Sequence, residues 1–209
     1  FRLVVTGVVK SNSKLKISFL KPTSRVDSLV KILLLILFLH PLAYQPRGET
    51  VYRMNIAILV EKGVVLGNLT LNYFNDVGVS LDELVFHVYP NAYWKRGGGI
   101  DVLTVEHNGE QLDYRVEGVD NTVLTVSLPK PLSPGGEIQL KISFVVYVPN
   151  LTDRFGRFAG VYNLGNWYPV LAVYEESGWD KSPYCPYGES FFQEAADYYV
   201  YINVPANYT

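Results

Sequence analysis

From Glu49 onward the chain alternates apolar and polar residues with a period of two, and that period restricts what it can fold into. Ile138, Leu140, Ile142, Phe144 and Val146 alternate with Gln139, Lys141 and Ser143. Successive side chains of a strand point to opposite faces, so this pattern marks a strand with one buried face. Leu124, Val126 and Leu128 repeat it against Thr125 and Ser127. Residues 102–107 and 110–116 flank Asn108-Gly109, a dipeptide that tolerates positive φ at both positions and predicts a two-residue hairpin. Further strands are predicted at 50–62, 64–74, 83–89 and 197–204. Pro90, the Gly97-Gly98-Gly99 run, Pro129, Pro131, Pro134-Gly135-Gly136 and Pro149 fall where strands should end. No stretch after residue 45 holds a 3.6-residue apolar period over three turns. The predicted class is therefore all-β: an antiparallel sandwich, or a saddle of packed sheets, occupying residues 46–209.

The front of the chain is different in kind. Residues 1–31 carry seven basic side chains against one acid, Asp27, while the rest carries eleven against nineteen. The formal net charge of −2 is thus a cancellation between a basic head and an acidic body. An acidic body repels phosphate, so nucleic acid is excluded as a partner. Ile32 to Leu39 reads ILLLILFL, the centre of an apolar block over 28–45. A spanning helix needs roughly 20 residues. The block is shorter than that and matches the apolar region of a signal peptide or a short membrane anchor. Export is the expectation, with membrane contact only through residues 28–45. The basic stretch 1–27 is longer than a signal peptide uses, and the only methionine is Met54. A true start near Val26 or Leu29 is expected, with residues 1–25 as upstream read-through or an extension.

Catalytic patterns are missing from the sequence. The three histidines, His40, His87 and His107, show no HExxH spacing and no close pair. His87 reads as a sheet residue next to Phe86, and His107 as a solvated residue beside the hairpin turn. Cys185 has no second cysteine for a disulfide and no nearby histidine to activate it. The Gly97–Gly99 run lacks the strand-to-helix context and the lysine of a phosphate loop. The acid pairs Asp82-Glu83 and Glu175-Glu176 read as solvated. Neither catalytic nor metal-binding residues are assigned. Asn68, Asn150 and Asn207 each begin an Asn-x-Thr triplet and are candidate N-glycosylation acceptors in an exported protein. Residues 162–209 hold nine of the sixteen tyrosines, with long irregular pieces of the kind that often cover another surface.

Several runs in that segment resemble a known family. They are Arg154-Phe-Gly-Arg-Phe158, Leu164-Gly-Asn-Trp-Tyr-Pro-Val-Leu-Ala-Val-Tyr174 and Gly178-Trp179. Tyr187-Gly-Glu-Ser-Phe-Phe192, Ala196-Asp-Tyr198 and Val200-Tyr-Ile-Asn-Val-Pro205 continue the series. Together with Leu69-Thr-Leu-Asn-Tyr73, Leu84-Val-Phe-His-Val-Tyr-Pro-Asn91 and Leu128-Pro-Lys-Pro-Leu132, they resemble the N-terminal β domain of aminopeptidase N-type zinc metallopeptidases, the gluzincins, in their bacterial and archaeal branch. The resemblance implies a β saddle packed on a C-terminal catalytic domain that holds the zinc through HExxH and acts on peptides. The 209 residues contain no such motif, so zinc is expected only in the parent protein and this piece is expected to be inactive alone. A gap follows from the same comparison. The family's amine-holding Gln or Glu has no counterpart in residues 162–169, and neither Asn163 nor Asn166 is given that role. Trp167, Tyr168, Trp179, Phe191 and Phe192 are the candidate interdomain contacts, unless these rings complete the domain's own core. A different class is a secreted sandwich that binds carbohydrate or acts in adhesion, with Trp94, Trp167 and Trp179 as a stacking platform.

Overall fold

The computed structural model describes residues 48–188 and 192–206. The signal-like segment 28–45, the basic stretch 1–27, Phe191 and Asn207 lie outside the described residues. The strands are β1 (Val51–Leu59), β2 (Val64–Phe74), β3 (Leu81–His87), β4 (Gly99–His107), β5 (Glu110–Gln111), β6 (Tyr114–Glu117) and β7 (Val123–Leu132). They continue as β8 (Glu137–Tyr147), β9 (Phe155–Phe158), β10 (Val161–Leu164), β11 (Val170–Leu171), β12 (Tyr174–Glu175), β13 (Gly178–Trp179) and β14 (Asp197–Asn203). The fold is all-β, as the alternation predicts.

Two sheets form the sandwich. The larger runs β14-β1-β2-β8-β4-β5 and the smaller β11-β3-β7-β6, while β9-β10 and β12-β13 are separate hairpins. The longest ladder, β2 against β8, holds one register from Val64↔Tyr147 to Phe74↔Glu137. That register puts Val65, Leu69 and Leu71 of β2 on the same face as Leu140, Ile142, Phe144 and Val146 of β8, all essentially buried. Tyr52, Met54 and Ile56 of β1 add to them. Leu84 and Phe86 of β3, with Leu124 and Val126 of β7, close the core from the smaller sheet. Period two thus delivers one apolar face per sheet, and the two faces meet.

The structure corrects the sequence reading at four places and adds a fifth feature. First, one pair is parallel rather than antiparallel: β14 lies along β1 from Val51↔Asp197 to Ala57↔Asn203. Second, 110–116 is not one strand. The hairpin forms, with Asn108 at φ 53° and Gly109 at φ 84°, but its return arm ends at Gln111. Leu112 then tucks inward, its N–H donating to the Val105 carbonyl at 2.8 Å, and β6 joins the other sheet. Third, Pro129 and Pro131 do not end β7. Residues 128–131 of β7 lie beyond its pairing with β6 and between the Ser127 and Leu132 pairs with β3, so a missing N–H breaks no ladder there. Fourth, Pro90 starts a 3-10 helix, Tyr89–Arg96, closed by Gly97 at φ 79°; strand β3 therefore stops at His87. Fifth, β4 carries a bulge at Leu103, between Val102↔Phe144 and Thr104↔Ser143. The extra residue points Leu103 outward and returns Val105 to the core.

Candidate functional site

The polar residues with the most unusual surroundings sit on the outer face of the smaller sheet. Leu84 and Phe86 face the core, so Glu83, Val85 and His87 share the opposite face. Register adds Val123 beside His87, Thr125 beside Val85, and Arg115 and Glu117 one strand further. Residues 174–184 cross this face. The Ala172 N–H extends the β11 ladder to the Val85 carbonyl at 2.9 Å, and the chain then turns back through β12 and β13 until the Asp180 N–H meets the Val173 carbonyl at 2.8 Å. Ala172 and Trp179 pack on Val85 and Val123 beneath.

The returning segment brings two charges onto the sheet. Lys181 Nζ reaches Glu83 Oε1 at 3.2 Å and Glu117 Oε1 at 3.4 Å. Arg115 bonds the other oxygens, Glu83 Oε2 at 3.2 Å and Glu117 Oε2 at 2.9 Å. The buried Thr125 hydroxyl donates to Glu117 Oε1 at 2.7 Å. These donors, Thr125 first and then Arg115 and Lys181, hold the Glu117 carboxyl down to about 2. A carboxyl depressed in the fold contributes stability above its ordinary value and loses it as pH falls toward the depressed one. Glu117→Gln should therefore cost about 1 kcal/mol or less near neutrality, since the pairs are partly exposed. The gap to wild type should narrow as pH falls from about 4.5 to 2. Urea midpoints across that range check it; a pH-independent gap rules it out.

Asp180 Oδ2 stands 3.7 Å from His87 Nε2, too far for a hydrogen bond. His87 is fully buried and neither ring nitrogen has a hydrogen-bond partner. Its ring stacks on Tyr89, with centroids 4.6 Å apart. Burial pushes the imidazole below its ordinary value, against the opposing attraction of the Asp180 carboxylate. Burial also pushes Asp180 up, but bonds from the Ser182 side chain and backbone, followed by His87, outweigh it and hold the carboxyl below the usual range. The Ser182 N–H donates to Asp180 Oδ1 at 2.9 Å. Ser182 bonds Asp180 but not His87, whose ring nitrogens have no hydrogen-bond partner, so no base is placed to activate its hydroxyl; among the described residues no three His, Cys, Asp or Glu side chains are placed to hold a metal ion.

The residues singled out from sequence are scattered. Trp167 is 9% exposed and packs inside this domain, 6.0 Å from the Phe144 ring and 5.4 Å from Tyr168. It is thus unavailable as a stacking platform. Tyr168 is half-buried against Tyr52 and Tyr198. Trp179 is half-buried between Tyr73 and Tyr174. Phe192 and Trp94 stand out in solvent. Trp94 donates its indole N–H to Asp120 Oδ1 at 3.0 Å. Asn68 is exposed in mid-strand and accepts from the Ser143 hydroxyl, whereas Asn150 lies exposed in a bend after β8. Cys185 is exposed, its thiol donating to the Tyr187 carbonyl at 3.1 Å. A shallow groove of about 450 Å³ at one end of the larger sheet is lined by Asn72, Tyr73, His107, Glu137 and Gln139. The His87–Asp180 pair was missed because 93 positions separate its members. The only available signal was the alternation that sets Glu83, Val85 and His87 on one face.

No protein-family model matches the chain, and no curated protein does. Solved structures do resemble it. An M1 zinc metallopeptidase from Deinococcus radiodurans is 19% identical with a TM-score of 0.38, over 50% of this chain and 21% of its own. A mutant of that enzyme gives 19% and 0.41, over 54% and 24%. Native leukotriene A4 hydrolase from Saccharomyces cerevisiae gives 18% and 0.35, over 47% and 14%. The aligned part thus spans less than a quarter of the length of each.

Proposed function

We propose that this chain is the N-terminal β domain of an exported, aminopeptidase N-type zinc metallopeptidase. Its role is non-catalytic: it docks on the zinc-bearing domain and helps shape the cleft that receives a peptide. The residue runs between Arg154 and Pro205 support this reading, as does the all-β two-sheet fold. The observation that carries it is apolar exposure in the same segment. Phe158 and Val161, at the tip of the β9–β10 hairpin, are each 61% exposed, Tyr187 is 84% and Phe192 53%. Large apolar side chains left this far in water within one segment fit a surface that another domain covers. Trp167 and most of Tyr168 are used inside the domain, so docking is assigned to these four side chains instead.

The test is genetic and then enzymatic. The genomic reading frame through the Thr209 codon should encode HExxH within about 200 further residues, a domain's length. The full product should hydrolyse aminoacyl amides, and chelation should abolish that activity. Phe158→Ser in the full product should lower activity or weaken its thermal stability while leaving zinc content unchanged. A frame of that length without HExxH overturns the proposal.

A further inference from the structure

We propose that residues 174–184 form an acid-released strap, which lies closed over the outer face of the smaller sheet while His87 is neutral and lifts when His87 takes up a proton. The geometry carries this in two parts. No residue from 174 to 188 is itself buried, yet the segment helps bury His87 completely. It is held by half-buried Tyr174, Trp179 and Tyr184 and by the Lys181 pairs, fewer and less buried contacts than the strands beneath have, so it opens before the sheets do. Beneath it, the imidazole has two unsatisfied ring nitrogens and a carboxylate too far away to bond. Opening lets water reach both nitrogens.

The sign follows from linkage. In the closed state burial disfavours the imidazolium more than Asp180 favours it. In the open state the ring titrates as an ordinary imidazole, near about 6.5. Below that value protons bind the open state preferentially, so acid favours opening; above it the strap is indifferent to pH. The groups facing His87 are Asp180 from the strap, Tyr89 stacked on the ring, and Glu117 and Glu83 on the same sheet face. Lys181 and Arg115 are paired to those glutamates. Tyr184 reaches Tyr89 rather than His87. Asp180 and Glu117 are both held below the usual carboxylate range. The Tyr89 phenol is pushed up to about 12, chiefly by burial. Near neutrality these three hold their charge states while His87 changes.

Amide hydrogen exchange on the full chain tests the strap, read as protection factors so that the intrinsic pH dependence divides out. The reporter is the Asp180 N–H, bonded to Val173 across the strap, with the Leu69 amide of β2 as the fixed reference. Its opening should rise by up to about tenfold per pH unit below about 6.5, while Leu69 stays level. In His87→Phe the Asp180 amide should show no such rise. In Asp180→Asn, which keeps the imidazole and removes its counter-charge, the rise should start at the same pH and go further. No rise in wild type overturns the proposal, as does an equal rise in His87→Phe or a lost rise in Asp180→Asn. Should His87→Phe fail to fold, wild type and Asp180→Asn still decide the matter.

Discussion

Phe144→Ala should destabilise the domain by about 3–5 kcal/mol, and Gly67→Ala should cost about 1–3 kcal/mol by overpacking, but the two losses should not add. Phe144 is 1% exposed in the middle of β8, directly paired with Gly67 on β2. Its ring lies across that glycine so closely that a β-carbon at Gly67 would clash with the ring edge at Cζ, Cε1 and Cε2. Glycine is required here for space: its φ is not in the left-handed region, so any residue could adopt the backbone. Truncating Phe144 leaves a cavity beside Trp167, whose ring is 6.0 Å away. Adding the alanine methyl at Gly67 then fills part of that cavity instead of striking the ring. Urea unfolding followed by tryptophan fluorescence gives the four corners of the cycle. The double variant should be more stable than the sum of the single losses implies, by about 0.5–3 kcal/mol. Strict additivity would mean that the ring and the glycine do not share the space.

That pair shows what the sequence made visible and what it did not. The alternation in 64–74 and 138–146 was enough to place both strands and their buried faces, because period two is a local property. The hairpin at Asn108-Gly109 was legible for the same reason, since the demand for positive φ at both positions is met within two residues. The crossing at Leu112 was not legible. Residues 110–116 keep one continuous pattern, and only the second sheet's need for a strand beside β7 splits them. The parallel placement of β14 against β1 was hidden too, since pairing direction depends on where a distant strand comes to rest. The prolines of β7 misled because they break ladders only where a partner needs the N–H. For the candidate site, His87 could be placed on a strand but not under a cover. Its surroundings include Tyr89, two residues on, and Asp180, which β13 turns back over the sheet 93 residues later.

Asn75→Asp should be more damaging than its size suggests, at about 3 kcal/mol or more, from lost donors and a buried charge. Asn75 is fully buried where the loop after β2 meets the turn between β7 and β8. Its amide nitrogen donates to the Val79 and Leu132 carbonyls, both at 2.8 Å, and its Oδ1 accepts from the Val77 N–H at 3.2 Å. Its backbone joins the same turn: the Asn75 N–H donates to Gly136 at 2.9 Å, and the Gly135 N–H donates to Asn75 at 2.7 Å. One side chain therefore ties two loops that are 57 residues apart. Aspartate keeps the shape and the acceptor but has no N–H₂, so two carbonyls lose their donor and face a carboxylate. Burial and those carbonyl oxygens would raise the new carboxyl above its ordinary value. A group raised in the fold is destabilising when ionised, so the loss should grow as pH rises through about 4 and shrink below it, where the protonated acid can donate to one carbonyl again. Asn75→Ala leaves the same carbonyls without a donor but adds no charge. Its loss should be smaller and flat with pH. Thermal melts of both variants at acid and neutral pH separate the two costs; an aspartate variant as stable as wild type at neutral pH would remove Asn75 as the tie between these loops.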